Sequence, residues 1–248
     1  MPKRVSDSSK LLHVIIAIEL PNSRSSRQLV KVQVSSLLRY FFNGDIAIWR
    51  NFFDPVYSVN RSGVFEFEFT TKSAIREDAD LADIIQEEKL QIAKSLVGQT
   101  SEYSWVIISD ADTLALRNWD HLFDESDVDL LVSRDRNGNM DDGFFAVRST
   151  SFCCFLDLWS SSKSTNRSRN FNYLETIVGS GKFTFRDFER GEVVQPFGDD
   201  CGIRDILEAS VVRLSGGEPA EKNKVAFALH MMRTFGDRDG IFLDLFES

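Results

Sequence analysis

Cysteine is scarce: the chain has three, Cys153, Cys154 and Cys201. An odd count with two adjacent residues is a poor disulfide framework and points to a reducing compartment. Neighbouring side chains on a helix project about 100° apart, so a Cys153–Cys154 bridge would be strained. Long apolar runs are missing too. The N-terminal run from Leu11 to Leu20 carries His13 and Glu19 and has no small-residue cleavage site. It reads as a buried strand rather than a signal peptide. Nothing approaches the roughly 20 apolar residues that span a bilayer. The expectation is a soluble, cytoplasmic protein with no membrane span. Positive charge is also in deficit, with 29 Lys and Arg against 38 Asp and Glu and a net charge of −9. A nucleic-acid backbone needs a basic face, so nucleic acid is not an expected partner.

What is present suffices for a core. The 248 residues are 42% hydrophobic and 27% charged, with aromatics dominated by Phe. That length fits one α/β domain or two small ones. Residues 1–10 are polar and Ser-rich and read as a flexible N-terminus, with a single domain over 11–248. Leu12 to Leu20 reads as a buried strand, and Ser25 to Phe42 has helical spacing. Asp45 to Trp49 and Val64 to Phe69 read as short strands. In the second, Phe65, Phe67 and Phe69 alternate with Glu66 and Glu68, which predicts one wet face. Asp80 to Val97 is the clearest helix, with Gly98 as its stop. Strands are predicted at Trp105 to Asp110, Asp127 to Ser133 and Gly143 to Val147, and helices at Phe152 to Trp159 and Phe171 to Val178. Ser160 to Asn170 reads as a Ser-rich loop, and the rest as irregular until a short strand at Val225 to Leu229. Alternating strands and helices predict an α/β fold with a mainly parallel sheet, whose ligands bind at the carboxyl ends of strands.

One such end carries the sharpest signal. The run Trp105-Val106-Ile107-Ile108-Ser109 ends in Asp110-Ala111-Asp112. In an extended segment both carboxylates would point to one side, and Ala111 would leave the backbone open to a ligand. Two carboxylates so placed can hold a divalent metal against a diphosphate. A cation would also let an acidic protein accept an anionic substrate. The bland alternative is an Asp-rich turn after a strand.

The stretch Ile107-Ile108-Ser109-Asp110-Ala111-Asp112-Thr113-Leu114-Ala115-Leu116-Arg117-Asn118 resembles the metal-binding segment of GT-A type glycosyltransferases, the glycogenin-like and nucleotide-diphospho-sugar transferases. Asp141-Asp142-Gly143-Phe144-Phe145-Ala146-Val147-Arg148-Ser149 is similar to that family's Asn-x-Gly-Phe-Phe-x-x-Arg-x-Ser strand, with Asp where relatives often have Asn. The resemblance implies a GT-A-like, Rossmann-like fold and a metal-dependent enzyme. Such an enzyme moves a sugar from a UDP- or GDP-sugar to a hydroxyl of a glycan or protein, with Mn2+ or Mg2+ as cofactor. It implies Asp110 toward the ribose or the metal and Asp112 as a metal ligand. It implies His230, after Val225 to Leu229, as a third ligand, although the family's His-x-x-Gly is replaced by Met231, Met232 and Arg233. Asp142 and Gly143 would line the sugar and acceptor pocket, with the small Gly143 letting a sugar ring lie against the backbone. The resemblance also implies a phosphate-facing base on the helix before the metal strand. Lys89, Lys94 and Arg76 are the candidates, and the two lysines, five apart, lie on different faces. Asp200 either carries a catalytic carboxylate alongside Asp142 or lies in a loop. His13 and His121 read as structural. The base-binding signature expected beside Ile18 and Glu19 is absent.

Two other readings compete. One is a domain that binds a nucleotide sugar with little or no catalysis. The other is a haloacid-dehalogenase-like phosphatase, which also sets Asp-x-Asp after an apolar strand. That family needs Thr four residues after the first Asp, where this chain has Leu114.

Overall fold

A computed structural model describes residues 10–17, 25–40, 43–50, 63–68, 92, 95, 102–124, 127–135, 137–165, 172–189, 191–196, 203–214 and 221–235. The side chains of 25, 26, 40, 124, 163–165, 203, 221–223 and 232–235 are excepted. The described strands are β1 (Leu11–Ala17), β2 (Gly44–Arg50), β3 (Val64–Glu68), β4 (Trp105–Asp110), β5 (Thr113–Ala115), β6 (Leu130–Arg134), β7 (Met140–Arg148), β8 (Phe185–Asp187), β9 (Val193–Val194) and β10 (Val211–Arg213). The helices are α1 (Ser25–Tyr40), α2 (His121–Asp124), α3 (Ser149–Thr165), α4 (Tyr173–Gly179), α5 (Ile203–Glu208) and α6 (Glu221–Phe235).

Strands buried on both faces read as continuous apolar runs. β1 is the clearest, with all seven residues buried, and it lies in the sheet interior between β2 and β4. The main sheet has the order β3-β2-β1-β4-β7-β6-β8. β7 runs antiparallel to both its neighbours, and the other six strands share one direction. A second sheet, β5-β10-β9, begins two residues after β4 ends. The fold is thus α/β with a mixed, mainly parallel sheet flanked by helices, as the sequence predicts.

The two faces of β1 sort the core. Leu12, Val14 and Ile16 join Phe152, Phe155 and Trp159 of α3 and Tyr173 of α4. Leu11, Ile15 and Ala17 join Val30, Val34 and Leu37 of α1, together with Trp119 and Phe144. A third cluster packs Leu29 and Val32 of α1 against β5, β10 and Val225, Ala228 and Met231 of α6.

Several expectations are corrected. α3 runs on to Thr165, through half of the expected loop. The Ser160 and Ser161 hydroxyls donate to the carbonyls of Leu156 and Asp157, a back-bonding that keeps serines inside a helix. The expected strand at Val225 to Leu229 lies within helix α6. There Val225, Ala228 and Met231 are buried while Ala226 and His230 are exposed, which is a helical period. The stretch taken as irregular holds β8, β9, α5 and β10, elements too short to show a period. On the edge strand β3 the expected alternation holds for Phe67 and Glu68 but not for Phe65 and Glu66. Phe67 stacks on Trp49 at 4.2 Å, but Phe65 is 48% exposed and Glu66 is drawn to Arg50 at 3.0 Å. Of the expected helix at 80–97, Ile92 and Ser95 are described, and both are helical. No described helix is long and apolar enough to cross a membrane. Cys153 and Cys154 are free and exposed on α3, and Cys201 lies outside the described residues.

Candidate functional site

The carboxyl end of β4 is held from behind by a polar network. His13 Nε2 shares a 2.7 Å hydrogen bond with Ser109 Oγ. Gln33 of α1 donates to the same hydroxyl at 2.9 Å and to the Asp110 carbonyl at 3.1 Å. One turn on, Ser36 Oγ accepts from the Ala115 amide at 3.0 Å. Burial pushes the His13 imidazole down to about 3, so it stays neutral at ordinary pH. His13 therefore has the structural role expected of it. His121 lies exposed on α2, whose Leu122 and Phe123 are buried beside Trp119.

Beyond Asp110 the chain turns through Ala111 and Asp112 into β5. The Leu214 amide donates to the Asp112 carbonyl at 2.8 Å. The Asp-x-Asp segment therefore joins the main sheet to the second sheet. A turn rather than an extended segment makes the two carboxylates converge, and they do so on a guanidinium. Arg213 Nη2, at the end of β10, lies 3.7 Å from Asp110 Oδ2 and 3.8 Å from Asp112 Oδ1. Arg213 Nε lies 3.2 Å from Asp141 Oδ2. Lys224 of α6 donates to Asp112 Oδ2 at 3.2 Å.

β7 supplies the opposite wall. It pairs Phe144 with Ser109, which brings Gly143 level with Asp110. Against β6 the register shifts between Val132 and Ser133, which face Phe145 and Asp141 respectively. Such bulges re-aim side chains at sites. Asp141 is fixed by the Gly143 amide on Oδ1 at 2.9 Å and by Gln195 Nε2 on Oδ2 at 3.0 Å. The space beside Gly143, expected to receive a sugar ring, is filled by Arg213. A Cβ at residue 143 would overlap the guanidinium. Burial works against the charge on Arg213, but Asp141, Asp112, Asp110 and Asp142 outweigh it and raise its pKa above the ordinary value.

The structure thus brings Asp110, Asp112, Asp141 and Gly143 around the Arg213 guanidinium, whereas Asp142 adds to the field on Arg213. His230 is exposed on α6, six residues after Lys224. At 100° per residue that is about 240° around the helix from the side chain that meets Asp112. The strand end that gave His230 its ligand role is absent. Lys89, Lys94, Arg76, Ile18, Glu19 and Asp200 lie outside the described residues. Sequence reading missed Arg213, Lys224, Gln33 and Gln195. Arg213 had a signal: it stands in Val211-Val212-Arg213-Leu214, and a charge inside an apolar run needs a buried partner.

The donor set suits a hard divalent ion, being carboxylate oxygen. Asp112 Oδ1 is buried and accepts no hydrogen bond among the described residues, its ion-pair partner Arg213 Nη2 standing 3.8 Å away. No three His, Cys, Asp or Glu side chains among the described residues form a ligand group. Two carboxylates nonetheless fit magnesium, which takes one or two protein carboxylates and completes its shell with waters and substrate phosphates. No family model and no curated protein matches the chain.

Proposed function

We propose that the protein is a metal-dependent glycosyltransferase that moves a sugar from a nucleoside-diphosphate sugar to a hydroxyl acceptor. The observation that carries this reading is the convergence of Asp110 and Asp112 at the carboxyl edge of β4. There a mainly parallel sheet meets a second sheet, and one buried carboxylate oxygen accepts no hydrogen bond from the described residues. The GT-A-like form of the fold belongs to this proposal, as does the resemblance of the Asp110 and Gly143 segments.

In this reading Asp110 and Asp112 hold Mn2+ or Mg2+ together with the donor diphosphate. The metal's contribution when bound is to stabilise negative charge on the departing diphosphate. Lys224, held at Asp112, is placed to offer a second positive charge to the same group. The acceptor oxygen bonds to the anomeric carbon as the bond to the diphosphate oxygen breaks. The acceptor proton passes to a carboxylate, and Asp142 is the candidate base among the described residues. Gln33, Ser109 and His13 fix the backbone that presents Asp110.

The cations around Asp112 favour a second reading, a nucleotide-sugar-binding domain with little turnover. Metal-dependent hydrolysis of a UDP-sugar in solution separates the two. The main test is a thermal-shift panel of UDP- and GDP-sugars with and without Mn2+. A ligand at about 100 times its Kd adds roughly 2.7 kcal/mol to stability. The expected outcome is a shift that needs both donor and metal and is lost in a folded Asp112→Asn variant. Unchanged Mn2+-dependent UDP and GDP affinity in that variant would remove the metal assignment.

A further inference from the structure

Metal sites of paired carboxylates ordinarily leave their oxygens to the metal and to water. Here a guanidinium stands among them. Arg213 is 2% exposed, reaches the cluster from the second sheet, and has its Nε 3.2 Å from Asp141. Its Nη2 sits almost equally far from Asp110 and Asp112. Two independent features show that the place is built for it. Residue 143 is a glycine, the one residue type whose side chain leaves that volume empty. Asp141, which receives Nε, is itself held by Gln195 and by the Gly143 amide.

Carboxylates brought this close repel each other, and in a buried setting the repulsion is weakly screened. We propose that Arg213 is the resident counter-charge of the Asp110–Asp112 pair. It is a positioning residue that holds the carboxylates convergent without metal and keeps their affinity for a bare divalent cation low. A divalent ion binds carboxylate oxygens at about 2.0–2.6 Å. Those oxygens themselves lie less than 4 Å from the guanidinium, so an ion bound to them would meet its positive charge. Lys224, on the other oxygen of Asp112, adds to the repulsion. A consequence, which rests on the glycosyltransferase reading, is that the metal enters together with a diphosphate, whose negative charge offsets both cations.

The test combines calorimetric titration with Mn2+, alone and with UDP, and thermal melts in EDTA and in Mn2+. It uses the full chain as wild type, Arg213→Met and Arg213→Lys. Wild type should bind Mn2+ alone weakly and melt at the same temperature in EDTA and in Mn2+. Arg213→Met should melt lower in EDTA, recover in Mn2+, and bind Mn2+ alone about tenfold tighter or more, a size typical of groups that tune metal ligands. Arg213→Lys should restore weak binding. A merely structural arginine would cost stability with no gain in metal affinity. Folded Arg213→Met with wild-type Mn2+ affinity overturns the proposal. So does a wild-type protein that binds Mn2+ alone tightly and is stabilised by it, a result that stands even if Arg213→Met fails to fold. If UDP leaves wild-type Mn2+ affinity unmoved while the Arg213 variants behave as expected, the counter-charge stands and the nucleotide-sugar reading falls.

Discussion

His13 is an ionisable side chain kept neutral by its surroundings. It is fully buried, bonded to Ser109 and tilted against the Trp119 ring at 5.3 Å. Its pKa falls from 6.5 in the unfolded chain to about 3 in the fold. Between those values the unfolded chain binds the proton and the folded chain does not. This contribution to stability is therefore complete above about pH 6.5 and is lost progressively as pH falls toward 3, by up to about 1.4 kcal/mol per pH unit. Few carboxylates titrate in the upper part of that window. Between about pH 7 and pH 5, wild type should lose about 2 kcal/mol more than His13→Gln, whose amide can still reach Ser109. Urea unfolding at the two pH values measures this, and equal losses would show that His13 is not the source. The same network holds Asp110 through Gln33, so a residue with no chemistry of its own shapes the site.

At the scale of elements, α6 carries the main correction. The run Val225-Ala226-Phe227-Ala228-Leu229 is apolar throughout, and five apolar residues do not distinguish a strand from a buried helical turn. The structure resolves it by packing Val225, Ala228 and Met231 against Leu29 and Val32 of α1. The helix then turns Lys224 toward Asp112 and leaves His230 exposed. His230→Ala should accordingly leave Mn2+ affinity within about twofold and stability within about 0.5 kcal/mol, as for most exposed substitutions. A tenfold loss of Mn2+ affinity in calorimetry would return His230 to the ligand set.

At the scale of the whole molecule, buried aromatic residues pack on both faces of the main sheet, and those of α3 form a layer against β7. Phe155 of α3 contacts Phe145 of β7, Trp159 and Phe183, with ring centroids 5.2–6.3 Å apart. It is fully buried, so Phe155→Ala should cost about 3–5 kcal/mol in urea unfolding, through lost transfer energy and a residual cavity. A cost below about 1 kcal/mol would mean that α3 is not packed on the sheet as described. This layer stiffens β7 from behind, and β7 delivers Asp141, Asp142 and Gly143 to the site.

The sequence by itself determined the parts whose signal is local. β1 and β4 follow from continuous apolar runs, and α1 and α4 from helical spacing. Asp110 and Asp112 stand out because a buried strand hands them to solvent within a single stretch of chain. Gly143 could be singled out, but not explained. Its reason is Arg213, which comes from another sheet and far along the sequence. Only the tertiary structure decided that the carboxylates converge on a guanidinium, that Lys224 pairs with Asp112, and that His230 turns away. These are electrostatic contacts between residues distant in sequence. They exist only once the second sheet and α6 have packed against α1, and no local pattern of apolar and polar residues encodes them.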